Sequence, residues 1–190
     1  MQLALAHTPE RARGRLRTYF ELDRRLARIV GATNEPMLGQ MRLAWWRETL
    51  GKPRNERPTG DAVLDAIGVH WEGREGALSK LVDAWEYMLA EELGQDAARE
   101  FGSLRAAPFD PLAERWALTD AAVHVPEGPE RDLLLTLARK CAPMGNFSRD
   151  LRGLSVLDAL ARRSLRRGGR PLMEGRGAAL TAARAAIFGR

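Results

Sequence analysis

Apolar residues recur along this chain at intervals of three and four, the period of an α-helix, and nowhere alternate over more than a few positions. The first long stripe is Leu16, Tyr19, Phe20, Leu22, Leu26, Ile29 and Val30. Thr8-Pro9-Glu10-Arg11 precedes it with a capping residue and a proline suited to a first turn, and Gly31 supplies a stop. Thr33-Asn34-Glu35-Pro36 restarts the chain and predicts a second helix over 36–50, closed by Gly51. Proline, glycine and charge crowd 52–60, which predicts a loop. Further helices are predicted over 61–67, 77–93, 96–101, 111–123, 130–141, 151–165 and 178–187, with Pro143 stopping the fifth of these. There is no internal repeat and no dividing linker. The pattern predicts one all-α domain over 1–190, a helical bundle.

Composition sharpens this picture without assigning an activity. With 190 residues, 45% of them hydrophobic and 29% charged, the chain can bury a sizeable core. The 18 glycines and 10 prolines are scattered without period, which excludes collagen-like and low-complexity classes. No apolar run reaches the roughly 18 residues of a membrane span. The opening Met-Gln-Leu-Ala-Leu-Ala is too short for a signal peptide and has no basic leader. Cys141 stands alone, so neither an internal disulfide nor a cysteine-based zinc cluster is available, and the expected setting is cytoplasmic. Charge is unevenly placed: from Arg139 to Arg190 there are 12 basic and 3 acidic residues, whereas the remainder is net acidic. That basic third could draw the protein to an anionic membrane surface, a phosphorylated ligand or nucleic acid, or simply coat helices with solvated arginine. Nucleic acid is the weakest of these readings.

The densest local signal is the run from Glu35 to Glu48, which contains Gln40, Arg42, Trp45, Trp46 and Arg47. Adjacent tryptophans on a helix point about 100° apart and so meet different neighbours or bracket a cleft. Arg42 shares a face with Trp45 and Trp46, and a guanidinium beside a tryptophan can hold a phosphate or pair with a buried carboxylate. Asp23 is the matching carboxylate, because it falls on the apolar stripe between Phe20 and Ala27 and needs a partner if buried. The short connection after Gly31 makes the first two helices antiparallel neighbours, so a bridge from Asp23 to Arg42 or Arg47 is expected.

The segment Arg42-Leu43-Ala44-Trp45-Trp46-Arg47 resembles a motif of the squalene/phytoene synthase family. Tyr19-Phe20-Glu21-Leu22-Asp23-Arg24-Arg25-Leu26-Ala27 is similar to the version carried by a divergent bacterial branch, as, more loosely, are Gly168-Gly169-Arg170-Pro171-Leu172 and the final Phe188-Gly189-Arg190. The resemblance covers roughly residues 10–50 closely and the remainder only in helical character. It implies a shortened isoprenoid-synthase-like bundle in which Asp23, Gln40, Arg42, Trp45 and Arg47 face a prenyl or other lipid ligand. Enzymes of the family hold Mg²⁺ against prenyl diphosphates with two aspartate-rich helical motifs, since hard cations need several carboxylate oxygens on one face. Here the positions expected to be aspartate in the first motif are Arg25 and Ile29. The second survives only as Asn146-Phe147-Ser148-Arg149-Asp150, with Leu154 in place of its last carboxylate.

The resemblance therefore implies a non-catalytic relative, without catalytic residues, metal or cofactor, that binds a lipid or a partner protein. Mitochondrial complex I assembly factors of this family provide the analogy. The alternative is a minimal head-to-head prenyl transferase using Mg²⁺ and Asp150. Other groups carry less: His7, His70 and His124 are too scattered for a metal site. Asp61 with Asp65, and Asp83 with Glu86, Glu91 and Glu92, read as polar helix faces. Cys141 reads as an apolar thiol.

Overall fold

Ten α-helices make up the framework of the computed structural model, which describes residues 1–33, 35–109, 113–142 and 149–188 and contains no strand among them. They are α1 (Gln2–Ala6), α2 (Glu10–Gly31), α3 (Pro36–Gly51), α4 (Ala62–His70), α5 (Glu75–Tyr87), α6 (Gln95–Ala106), α7 (Glu114–His124), α8 (Pro129–Lys140), α9 (Arg152–Arg166) and α10 (Gly177–Phe188). The all-α single domain expected from the hydrophobic period is the architecture observed.

Several boundaries differ for local reasons. Thr8 does not cap α2; its hydroxyl donates to the carbonyl of Ala4, and α2 begins behind Pro9. That bond belongs to α1, a five-residue helix absent from the predicted set. Asp61, inside the predicted 61–67 helix, instead precedes α4 and caps it, its carboxylate accepting the Val63 and Leu64 amides at 2.9 and 3.2 Å. The predicted 77–93 helix stops at Tyr87 and the predicted 96–101 helix extends to Ala106. Residues 52–60 are less loose than expected, because the buried Arg57 donates to the carbonyls of Lys52 and Leu50 and pairs with Glu75 at 3.0 Å. Pro111, Pro143 and Asn146 to Ser148 lie outside the described residues.

The main core runs from α2 through α5, α6, α7 and α8. At its centre Tyr19, Phe20, Phe109 and Trp116 meet edge to face, with centroids 4.8 Å apart for Tyr19–Phe109 and 5.7 Å for Phe20–Trp116. Such pairs add about 0.5–1.5 kcal/mol beyond the area they bury. The opposite end is a smaller cluster between α9 and α10, built on Val156, Leu160 and the alanines Ala178, Ala182 and Ala185, whose small side chains let the two helices lie close.

Gly153 sets the approach of α1 to α9. A Cβ there would stand 2.2 Å from the Thr8 hydroxyl oxygen and 2.6 Å from the Ala4 carbonyl oxygen. Gly153→Val should therefore lift α1 from α9 and lower stability by about 1–3 kcal/mol. Urea unfolding, with limited proteolysis reporting early cleavage before residue 10, checks this; an unchanged midpoint would contradict the packing.

Candidate functional site

Asp23 is buried, as its place on the α2 stripe implies, but its partner is not Arg42 or Arg47. Arg105 of α6 reaches it with two parallel bonds, Nε to Oδ1 at 2.9 Å and Nη2 to Oδ2 at 2.7 Å. The same guanidinium donates to Asp120 at 2.7 Å and to the Ala117 carbonyl at 2.8 Å, while the Trp85 indole N–H donates to Asp23 at 2.9 Å. Aromatic faces complete the enclosure, with the guanidinium carbon 4.6 Å from the Trp116 ring centre and 5.2 Å from that of Trp85. Burial opposes the charge on Arg105, but Asp23 and Asp120 outweigh it and raise its pKa above the ordinary arginine range. Tyr19, whose hydroxyl donates to the Arg105 carbonyl, is pushed well up by burial and then by the Asp23 charge. The Arg105 guanidinium and the Asp23 carboxylate are spent within this network, which suits a structural tie between α2, α5, α6 and α7.

The expected Asp23 bridge fails because α3 turns its arginines elsewhere. Arg47 faces α5, donating to Asp83 at 2.7 Å and to Glu86, so these two half-exposed carboxylates of the polar face also tie α3 to α5. Arg42 is exposed, as is Gln40, and neither approaches Asp23. The five residues named from the resemblance thus divide between a buried tie (Asp23), an interhelical ion pair (Arg47) and the exposed surface of α3 (Gln40, Arg42, Trp45). They do not converge on one pocket.

The α3 surface is unusual. Gly39, Leu43, Trp46 and Leu50 form its buried side, and Gly39 lets the helix sit tightly on Leu89, whose methyl would lie 2.7 Å from a Cβ at that position. The outer side then presents Met37 and Met41, 72% and 64% exposed, with Leu38 and a half-exposed Trp45 beside them. Met37, Met41 and Trp45 follow at i, i+4 and i+8, making one continuous apolar ridge. Trp45 meets Trp46 edge to face at 5.3 Å, so the tryptophan pair bridges outer ridge and core.

Arg25 and Ile29, standing where the resemblance would place aspartates, do not form an acidic face. Arg25 pairs with Asp61 at 3.2 Å and lies over the Trp46 ring, and Ile29 packs against the core. Asp150 is paired with Arg11 at 2.6 Å on the rim of a cleft of about 530 Å³. Arg15, Arg74, Trp71 and Phe109 line the same cleft, and Asp150 is the one carboxylate among its described lining residues. No three His, Cys, Asp or Glu side chains cluster in a way that could hold a metal ion among the described residues. Cys141 is half-buried and its pKa is pushed up to about 11 by burial, with Glu114 adding to the shift, which leaves an unreactive thiol. Among the same residues no helix is long and apolar enough to cross a membrane.

Arg105 carries a signal in the sequence: Ala98, Phe101 and Arg105 follow at three and four, placing the arginine on the apolar stripe of α6. No protein-family model matches the chain, and neither a curated protein nor a solved structure matches it significantly.

Proposed function

We propose that the chain is a non-catalytic binding protein of the squalene/phytoene synthase type, acting in the cytoplasm as an assembly-factor-like scaffold, and that the outer ridge of α3 is where it holds a partner protein. The observation that carries this reading is the division of labour on the two early helices. The inward group of the resemblance, Asp23, is consumed by Arg105, while the Met37–Met41–Trp45 ridge is left open. Unbranched methionines adapt to the contours of a partner, and a tryptophan supplies a rigid anchor. The ridge has Arg42 at one edge and Glu35 and Glu48 at its ends. That mixed rim fits an apolar protein helix with charges of both signs better than a uniformly anionic bilayer. The alternative, transfer between prenyl diphosphates, would ask the Asp150 cleft to gather carboxylates around Mg²⁺.

A photo-crosslinking residue placed at Met41 tests the reading. Expressed at native level, it should yield a discrete adduct that disappears on Trp45→Asp, while the same residue at exposed Lys80 yields none. Met41→Asp alone should leave the unfolding midpoint within about 0.5 kcal/mol of the parent, since exposed positions tolerate change. Identical adducts from positions 41 and 80, or Mg²⁺-dependent product from farnesyl diphosphate, would overturn the proposal.

A further inference from the structure

A second surface, on α9 and α10, has the chemistry of a phosphate site. Arg162 and Arg166 of α9 and Arg184 of α10 line a groove of about 290 Å³, floored by Ala159 and flanked by Thr181. Water occupies about 30 Å³ in the liquid, so the groove has room for a phosphate group and several waters. The three guanidiniums are not equivalent. Arg162 is held from below by Asp158, its Nε 3.0 Å from the carboxylate, and Asp158 is itself fully buried and engaged by Arg115. One carboxylate therefore serves two guanidiniums, and the floor of the groove keeps a net positive charge. Arg166 and Arg184 are exposed and make no hydrogen bond or ion pair among the described residues. Three neighbouring arginines are otherwise committed: Arg163 and Arg167 both donate to the Glu174 carbonyl at 2.9 Å, and Arg170 pairs with the Glu174 side chain. From Arg152 to Phe188 eight arginines face only two carboxylates, Asp158 and Glu174.

Beside the groove stands an apolar ridge. Leu180 and Ile187 are 65% and 70% exposed, and Arg184 lies between them on the same side of α10 at i+4 and i+7 spacing. The opposite side of α10 is alanine packed on α9. Leucine and isoleucine flanking arginines on one exposed side, with a phosphate-sized groove at their edge, is the arrangement of a helix that lies in a bilayer interface. A free phosphate would have no use for the ridge.

We infer that α9 and α10 form a docking site for an anionic lipid surface, with the headgroup phosphate held by Arg162, Arg166 and Arg184 and with Leu180 and Ile187 entering the acyl boundary. This site uses different helices from the α3 ridge and stands or falls independently of it.

Flotation of the full chain with phosphatidylcholine vesicles, with and without phosphatidylglycerol, tests the inference. Binding is expected only to the anionic vesicles, and it should weaken with added salt. Arg166→Glu with Arg184→Glu should reduce it by about tenfold or more. Leu180→Ser with Ile187→Ser should also weaken it while leaving the charge unchanged, and Arg166→Gln with Arg184→Gln should fall between the parent and the glutamate variant. Circular dichroism and thermal unfolding confirm that these surface variants keep the fold. No binding to anionic vesicles, or equal binding by the arginine variants, overturns the inference. Two further outcomes do the same: stabilisation by inorganic phosphate without vesicle binding makes the groove a site for a soluble anion, and retention of a single-stranded oligonucleotide without vesicle binding makes it a nucleic-acid site.

Discussion

Arg105→Met will destabilise the protein by about 3–5 kcal/mol, because it leaves Asp23 and Asp120 facing one another without the cation that compensates their burial. The methionine conserves much of the side-chain volume, so the loss measures charge pairing more than a cavity. Arg105→Lys should recover little of it, since an ammonium cannot make the two parallel bonds to Asp23 or lie flat between Trp116 and Trp85. The combined Asp23→Leu, Arg105→Met variant should be more stable than Arg105→Met alone, the non-additivity expected of groups in direct contact. Urea midpoints for the four proteins decide the matter. A single variant within about 1 kcal/mol of the parent would mean that the network contributes no more than a surface pair does.

Asp158→Ala should cost a similar amount, about 3–5 kcal/mol, at the other end of the molecule. Asp158 is fully buried and joins Arg115 of α7 to Arg162 of α9, while Arg115 also donates to the carbonyls of Cys141 and Ala142 at 2.6 and 2.8 Å. Removing the carboxylate strands the buried Arg115 guanidinium and unties the end of α8 from α9. Asp158→Asn, which preserves shape but not charge, should be nearly as costly. Hydrogen exchange should localise the loss to α7 and α9. Protection confined to its parental pattern in both helices would show that the ion pair is dispensable.

The helices were legible because burial and period coincide in them: the α2 stripe from Leu16 to Leu26 is buried as its spacing requires. That Asp23 is inward and ion-paired was legible for the same reason. Its partner was not, since Arg105 lies 82 residues away and spacing reports only neighbours within one helix. The choice of Arg42 or Arg47 followed from assuming that consecutive helices share their polar groups. In fact α3 packs chiefly on α5, which is where Arg47 finds Asp83 and Glu86. The ridge on α3 was hidden for another reason. Apolar residues surround that helix almost completely, so no period distinguishes inside from outside, and only the tight seat of Gly39 on Leu89 settles which side is covered. The α9–α10 groove was visible as an excess of arginine but not as a place, because four of those side chains are drawn away or held by Glu174 and Asp158.

Of the five tryptophans, Trp46, Trp71, Trp85 and Trp116 are buried and Trp45 alone is open, at 44%. The protein therefore carries its own optical reporter on α3. Acrylamide should reach one indole out of five, and any molecule seated on the ridge will shade that fluorophore and its contact partner Trp46 while Trp71, Trp85 and Trp116 stay buried elsewhere.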